Sequence, residues 1–326
     1  MMMNRILCAA TLAASGLAGV SAHAQTRWDM ATPYPETEHH TINIRAFAKD
    51  VADATGGKLE IVVHSGQSLF RHPEIKRAVQ TGQVPLGEIL GANLVNEDPI
   101  FGVDAIPFLA TSIDASWKLY QAQKPFLEAI FQRQGLRLLY AVAWPSQGFF
   151  TKVPISKADD LKGVKFRTYN APTARMAELM GAVPTIVEAV EIPQAFSTGI
   201  VDAMVTSAAT GVRTKAWDFS RHFYDMQAWL PKNLVIVNER ALRALDESQR
   251  KAVLEAAAKA ETRGWEMLRK VAVDSLGQLE DGGMEVHEPD PALLGALQKV
   301  GETMTREWTE QSGADGAKLI EAYSAQ

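Results

Sequence analysis

The sequence is poor in cysteine, in basic charge and in long apolar stretches, and each shortage removes a class of function. Cys8 is the sole cysteine in 326 residues. Past that position there is no disulfide framework, thiol nucleophile, thiolate metal site or iron–sulfur cluster. Lysine and arginine number 33 against 38 aspartates and glutamates, a net charge of −5. With no basic surplus to neutralise a phosphate backbone, the composition argues against a nucleic-acid partner. The longest uncharged apolar run, Ile6 to Val20, is fifteen residues, short of the roughly 20 that a spanning helix needs. Enzymatic signatures are equally sparse. There is no G-x-S-x-G elbow, and Gly56-Gly57-Lys58 lacks the spacing of a phosphate-binding loop. The adjacent His39 and His40 point in different directions and cannot form the i, i+4 pair of a zinc helix. With Glu36 and Glu38 they read as a polar helix start capped by Thr37 or Glu38, and His64 and His72 read as solvated loop residues. The expectation is a protein without catalytic residues, metal or cofactor.

What is present begins with an address. Arg5 supplies a basic start, Ile6 to Val20 an apolar run, and Ala22-His23-Ala24 a small-residue ending. This is the pattern of a secretory signal peptide over residues 1–24, which implies export to the periplasm and no membrane insertion after cleavage. The mature chain would begin at Gln25, with 302 residues (326 minus 24) and a charge of −6 (32 basic, 38 acidic). A chain of that length buries a large core and usually divides into two lobes.

Strand-like and helix-like segments then alternate. Arg27 to Ala31 reads as a strand ended by Pro33-Tyr34-Pro35. Thr41 to Ala54 reads as a helix with Ile42, Phe47 and Val51 near one stripe, stopped by Gly56-Gly57. Leu59 to Val63 is a strand, Pro73 to Gln80 a helix, and Leu86 to Leu90 a short apolar segment. Strands recur at Leu138 to Trp144, Gly148 to Lys152, Val164 to Tyr169, Val183 to Val187, Ala203 to Thr206 and Leu234 to Val237, with a helix at Pro172 to Met180. Such a rhythm predicts an α/β fold of mostly parallel sheet covered by helices. From Asp246 to about Asp281 only Gly264 and Gly277 interrupt helix-forming residues, and a helix of that length, about 50 Å, should cross both lobes. A strand near Glu285 and a helix from Ala292 to Glu310 follow. The lobes are expected at 25–143 plus 233–275 and at 144–232 plus 276–326.

One stretch carries chemistry. In the strand Val164-Lys165-Phe166-Arg167-Thr168-Tyr169, Val164, Phe166 and Thr168 share one face, and Lys165, Arg167 and Tyr169 the other. A buried arginine there would clamp a carboxylate with two parallel hydrogen bonds, which lysine cannot match. A polar strand face in water fits the pattern equally.

The chain resembles the solute-binding proteins of TRAP (tripartite ATP-independent periplasmic) transporters over nearly its whole mature length. The resemblance lies in the order and spacing of several motifs: Thr55-Gly56-Gly57-Lys58-Leu59, Ser65-Gly66-Gln67-Ser68-Leu69, Thr81-Gly82-Gln83-Val84, Asp160-Leu161-Lys162-Gly163-Val164-Lys165-Phe166-Arg167 and Ser197-Thr198-Gly199-Ile200-Val201-Asp202. It implies a two-lobed periplasmic binding protein fold with the ligand cleft between the lobes and a long helix spanning both. It further implies a receptor that closes on a small organic acid and delivers it to a membrane permease driven by an ion gradient. Arg167 falls on the family's carboxylate-binding arginine. Thr206 and Ser207 stand where many members carry a ligand-touching asparagine. Trp144-Pro145-Ser146-Gln147-Gly148 lacks the second arginine that some members carry, which favours a monocarboxylate over a dicarboxylate.

Other cleft candidates come from position. They are Tyr34 after the first strand, Trp144 and Gln147 at the crossover between lobes, Tyr169 beside Arg167, and Ser207 and Thr210. Glu88 is either an acceptor for a ligand hydroxyl or amine, or a surface carboxylate. A binding protein of an ABC importer shares the fold class and export, and a secreted enzyme acting on a small acid is a further alternative.

Overall fold

The computed structural model describes residues 25–325, so the expected leader at 1–24 lies outside the described residues. Eleven strands are described: β1 (Thr26–Ala31), β2 (Leu59–His64), β3 (Leu86–Leu90), β4 (Leu136–Ala143), β5 (Gln147–Thr151), β6 (Lys165–Thr168), β7 (Val183–Ile186), β8 (Ala203–Ser207), β9 (His222–Tyr224), β10 (Lys232–Asn238) and β11 (Glu285–His287). The helices are α1 (His39–Ala54), α2 (His72–Thr81), α3 (Ile113–Arg133), α4 (Ala171–Leu179), α5 (Ile192–Ser197), α6 (Ala208–Arg213), α7 (Glu239–Ala244), α8 (Glu247–Asp281) and α9 (Pro291–Ser324).

The strands form two sheets, ordered β2-β1-β3-β10-β4 and β11-β9-β5-β8-β6-β7, each the centre of one lobe of an α/β fold. Each is mostly parallel, as expected, with a single strand reversed. Strand β10 runs antiparallel to both β3 and β4, and β5 antiparallel to β8 and β9. The reason is connectivity. β5 follows β4 through Trp144 to Ser146 alone, and β10 returns from β9 through residues 225–231, without the covering helix that imposes a parallel sense. The true βαβ units, β1-α1-β2 and β6-α4-β7, do pair in parallel.

Each helix buries the stripe its spacing dictates. In α1 the stripe is Ile44, Phe47, Ala48 and Val51, which is i, i+3, i+4, i+7; Ile42, expected on it, is exposed. Helix α8 begins at Asp246, whose carboxylate accepts from the Gln249 backbone N–H at 2.8 Å, and runs 35 residues. It packs on α1 and β4 of the first lobe and then on α6 and β11 of the second, so it spans both as expected.

Helix α9 corrects the expected boundary at 276–326. Its early residues Leu293, Leu297, Val300 and Met304 belong to the second lobe's core, but Trp308 and Leu319 belong to the first lobe's. The chain thus crosses back, and the helix extends past Glu310 with a break at Gly313, where φ is 55°. That left-handed value is one that glycine adopts without steric cost. Among the described residues no helix is long and apolar enough to cross a membrane.

Candidate functional site

The cavity between the sheets forms where parallel strands end, the position at which α/β folds gather ligands. Tyr34 follows β1, Leu90 and Asn93 lie at and beyond the end of β3, Tyr169 follows β6, Glu188 and Ala189 follow β7, and Thr206 and Ser207 end β8. Trp144, Gln147 and Pro231 come from the crossovers, and His72 and Thr210 from the first turns of α2 and α6. The cavity is small, about 50 Å³, and partly open to solvent. Its occupant is therefore a small molecule.

Arg167 dominates the second-lobe wall. On β6 its neighbour Phe166 turns into the core, which turns Arg167 to the opposite face beside Tyr169. Only 2% of it is exposed. Its Nε donates to the Val187 carbonyl at 3.0 Å and its Nη1 to the Val205 carbonyl at 3.1 Å. These two bonds fix the plane of the guanidinium and leave the rest of its five N–H donors for a ligand. The guanidinium carbon lies 5.3 Å from the centre of the Tyr169 ring. Among the described residues no carboxylate comes within 4.0 Å of Arg167. Burial pulls its pKa down to about 10, against weaker upward pulls from Tyr169 and Glu188. A buried cation without a counter-ion is costly, and an incoming carboxylate removes that cost.

The first-lobe wall is organised by a residue that sequence reasoning missed, Asn233 on β10. Its Oδ1 accepts from the Tyr34 hydroxyl at 3.2 Å and from the Trp144 indole N–H at 2.9 Å, while its Nδ2 donates to Glu88 at 2.9 Å. Glu88 itself is 1% exposed, also accepts from the Thr32 hydroxyl, and does not line the cavity. Neither expectation for it fits: it is not on the surface and not on the cavity wall. It sits behind Asn233, and burial raises its pKa to about 7 against the lowering effect of Thr32 and Asn233.

The other eight expected residues, Tyr34, Trp144, Gln147, Arg167, Tyr169, Thr206, Ser207 and Thr210, line this one cavity. His72 reverses its expectation: it is buried at the start of α2, and its Nε2 accepts from the Leu90 backbone N–H at 3.1 Å. Its Nδ1 lies 3.4 Å from a Glu188 oxygen across the cleft. Burial opposes the charge on Glu188, but His72 and Arg167 outweigh it and hold its pKa below the ordinary value. The cavity thus pairs one fixed cation with one fixed anion. Glu188 and Asn93 were findable in principle, since both follow a parallel strand; Asn233 and His72 carried no sequence signal. No set of three metal-ligating groups gathers in the cavity among the described residues.

Relatives and solved structures place the chain. A Bordetella pertussis extracytoplasmic solute receptor, DctP7, described as binding pyroglutamic acid, is 47% identical with a TM-score of 0.91, over 92% of this chain and 99% of that one. A marine-metagenome TRAP solute-binding protein, described as specific for pyroglutamate and solved with the co-purified ligand, is 40% identical with a TM-score of 0.91, over 93% and 99%. The C4-dicarboxylate-binding periplasmic protein DctP of Rhodobacter capsulatus is 23% identical over 83% of each chain. None of this supports the ABC-importer alternative. The family model described as "Bacterial extracellular solute-binding protein, family 7" matches residues 30–312. The chain belongs to that family, DctP, and is a solute-binding receptor of the TRAP type.

Proposed function

We propose that the protein is a periplasmic receptor that closes around a small cyclic monocarboxylate carrying a ring amide, with pyroglutamate the foremost candidate, and passes it to a TRAP membrane permease. The observation that carries this reading is Arg167, buried and rigidly held against the cavity with no counter-ion among the described residues. A bidentate arginine–carboxylate pair is both strong and directional. Glu188 supports a single carboxylate, because an anion held ionised on the same wall repels a second one. The amide of a lactam ring has one donor and one acceptor, and Gln147, Thr206, Ser207 and Thr210 offer both kinds of partner. Trp144 and Tyr169 supply flat apolar walls for the ring. The two similar structures described with pyroglutamate point the same way. Binding without turnover follows from membership of a receptor family, and pyroglutamate recovered unchanged after incubation would check it.

Titration calorimetry of the wild type and of Arg167→Ala tests the assignment, using pyroglutamate, its uncharged carboxamide, proline and malate. The wild type should bind pyroglutamate alone, and Arg167→Ala should bind none of them while its circular dichroism stays that of a folded protein. Retained micromolar binding by Arg167→Ala would remove the arginine from its role. Malate binding more tightly than pyroglutamate would overturn the monocarboxylate reading.

A further inference from the structure

On the outer edge of the second lobe's sheet, away from the cavity, three side chains converge without serving the ligand. Strands β9 and β11 pair in parallel with Glu285 opposite His222 and His287 opposite Tyr224. Residues two apart on a strand share a face, so His222, Glu285 and His287 meet on one side of the ribbon. The His222 Nδ1 lies 3.1 Å from the His287 Nε2 and 3.3 Å from a Glu285 Oε2, and the remaining pair is 3.8 Å apart. A tetrahedral ion with ligand distances of about 2.0–2.1 Å holds its donors roughly 3.3–3.4 Å apart. Three donor atoms of the right kinds are already spaced to that geometry.

We propose that His222, Glu285 and His287 form a binding site for a borderline divalent cation, Zn²⁺ in the first instance, with a fourth position open to water. Two imidazoles and one carboxylate suit zinc and its neighbours, whereas Mg²⁺ and Ca²⁺ prefer all-oxygen sites. The surroundings hold the donors in place. Arg221 Nε donates to the other carboxylate oxygen, Glu285 Oε1, at 2.8 Å, which turns Oε2 toward the imidazoles. The His287 ring stacks on Tyr224 with centroids 4.9 Å apart, and the Tyr224 hydroxyl is itself fixed by accepting from the Ile155 backbone N–H at 2.8 Å. His222 is buried while His287 and Glu285 keep part of their surface open, which gives the ion an entry path. The ion would pin β11, an edge strand of three residues following α8, onto β9.

The test uses untagged protein stripped with a chelator, since a polyhistidine tag would bind zinc itself. Calorimetry with ZnCl₂ should give one site per chain, a Tm that rises with zinc, and no response to MgCl₂. Co²⁺ in place of zinc should give the intense visible bands of tetrahedral coordination. His287→Ala and Glu285→Gln, on the half-exposed edge where folding is not at risk, should each weaken zinc at least tenfold. Arg221→Ala should weaken it about tenfold, as loss of a group that orients a ligand does. Pyroglutamate titrations should not distinguish any of these variants from the wild type. Absence of saturable zinc binding by the wild type, or binding undiminished in both His287→Ala and Glu285→Gln, overturns the proposal.

Discussion

At the scale of single residues, the site is a buried cation and the polar groups that keep its neighbours in place. Glu88 shows how far a functional contribution can sit from the ligand. Its carboxyl holds Asn233, and Asn233 holds Tyr34 and Trp144. Because burial raises its pKa from 4.5 to about 7, the folded protein keeps a proton that the unfolded chain has already lost between those pH values. The contribution to stability is therefore full below pH 4.5 and disappears as pH rises through 7, a swing on the order of 3 kcal/mol. His40, 3.6 Å from the Glu88 carboxylate, is itself driven well below its usual pKa, first by burial and then by His39, so it does not supply a compensating charge. Glu88→Gln keeps an oxygen to accept from the Asn233 amide, reverses the Thr32 bond so that the glutamine NH2 donates to the hydroxyl oxygen, and removes the titration. Thermal melts between pH 5 and 8 should show the variant losing less stability than the wild type as pH rises, with unchanged pyroglutamate affinity at pH 6. Parallel pH profiles for the two proteins would show that Glu88 is not the titrating group. Strand alternation put Arg167 on the face opposite Phe166, and the family resemblance, not the pattern, chose it over a solvated strand face. Asn233 was not legible from sequence, because its importance lies in contacts with residues 89 and 199 positions away, which no local pattern records.

At the scale of elements, helix α8 contains two glycines that look alike in sequence and differ in space. A Cβ on Gly264 would stand 2.3 Å from Val142 Cγ2 and 2.8 Å from Asn43 Nδ2, where the helix is pressed between β4 and α1. A Cβ on Gly277 would meet nothing within 4 Å. Alanine is favoured over glycine in a helix interior by about 1 kcal/mol, so at Gly277 the substitution should raise stability by roughly that amount. At Gly264 the same gain is opposed by overpacking, which typically costs ~1–3 kcal/mol, and Val142 sits in a buried strand that cannot easily withdraw. Denaturant unfolding of Gly264→Ala and Gly277→Ala should therefore give shifts of opposite sign; stabilisation by both would mean that the α8–β4 contact is slack. Helix α8 itself was readable because 35 residues of helix formers need no tertiary information. The sense of β10 was not readable. Its seven residues are buried throughout, and a run buried on both faces carries the same pattern whether its partners are parallel or antiparallel.

At the scale of the whole molecule, a receptor of this kind works by a difference in free energy between open and closed lobes, so contacts across the cleft matter even where no ligand touches them. Glu38, which caps α1 in the first lobe, accepts from Arg213 Nε at the end of α6 in the second at 3.1 Å. Neither residue lines the ligand cavity. Glu38 is 4% exposed; burial opposes its charge, but His39 and Arg213 outweigh that effect and hold its pKa below the ordinary value. Opening the cleft would return both partners to water, where an ion pair contributes little. The pair therefore favours the closed form selectively. In Arg213→Ala, closure would bury the Glu38 carboxylate with the His39 ring, 2.7 Å away, as its remaining side-chain partner. Truncating one member of a buried pair across an interface costs about 2–5 kcal/mol, and retention of His39 places this case at the lower end. Apparent affinity scales with the fraction of protein able to close, so Arg213→Ala should bind pyroglutamate on the order of tenfold more weakly, with the loss appearing as faster release. Small-angle scattering at saturating ligand should still report the compact form, because the ligand's own contacts with both walls remain. Unchanged affinity in Arg213→Ala would mean that the pair is equally formed in the open state and that closure is governed by the cavity residues alone.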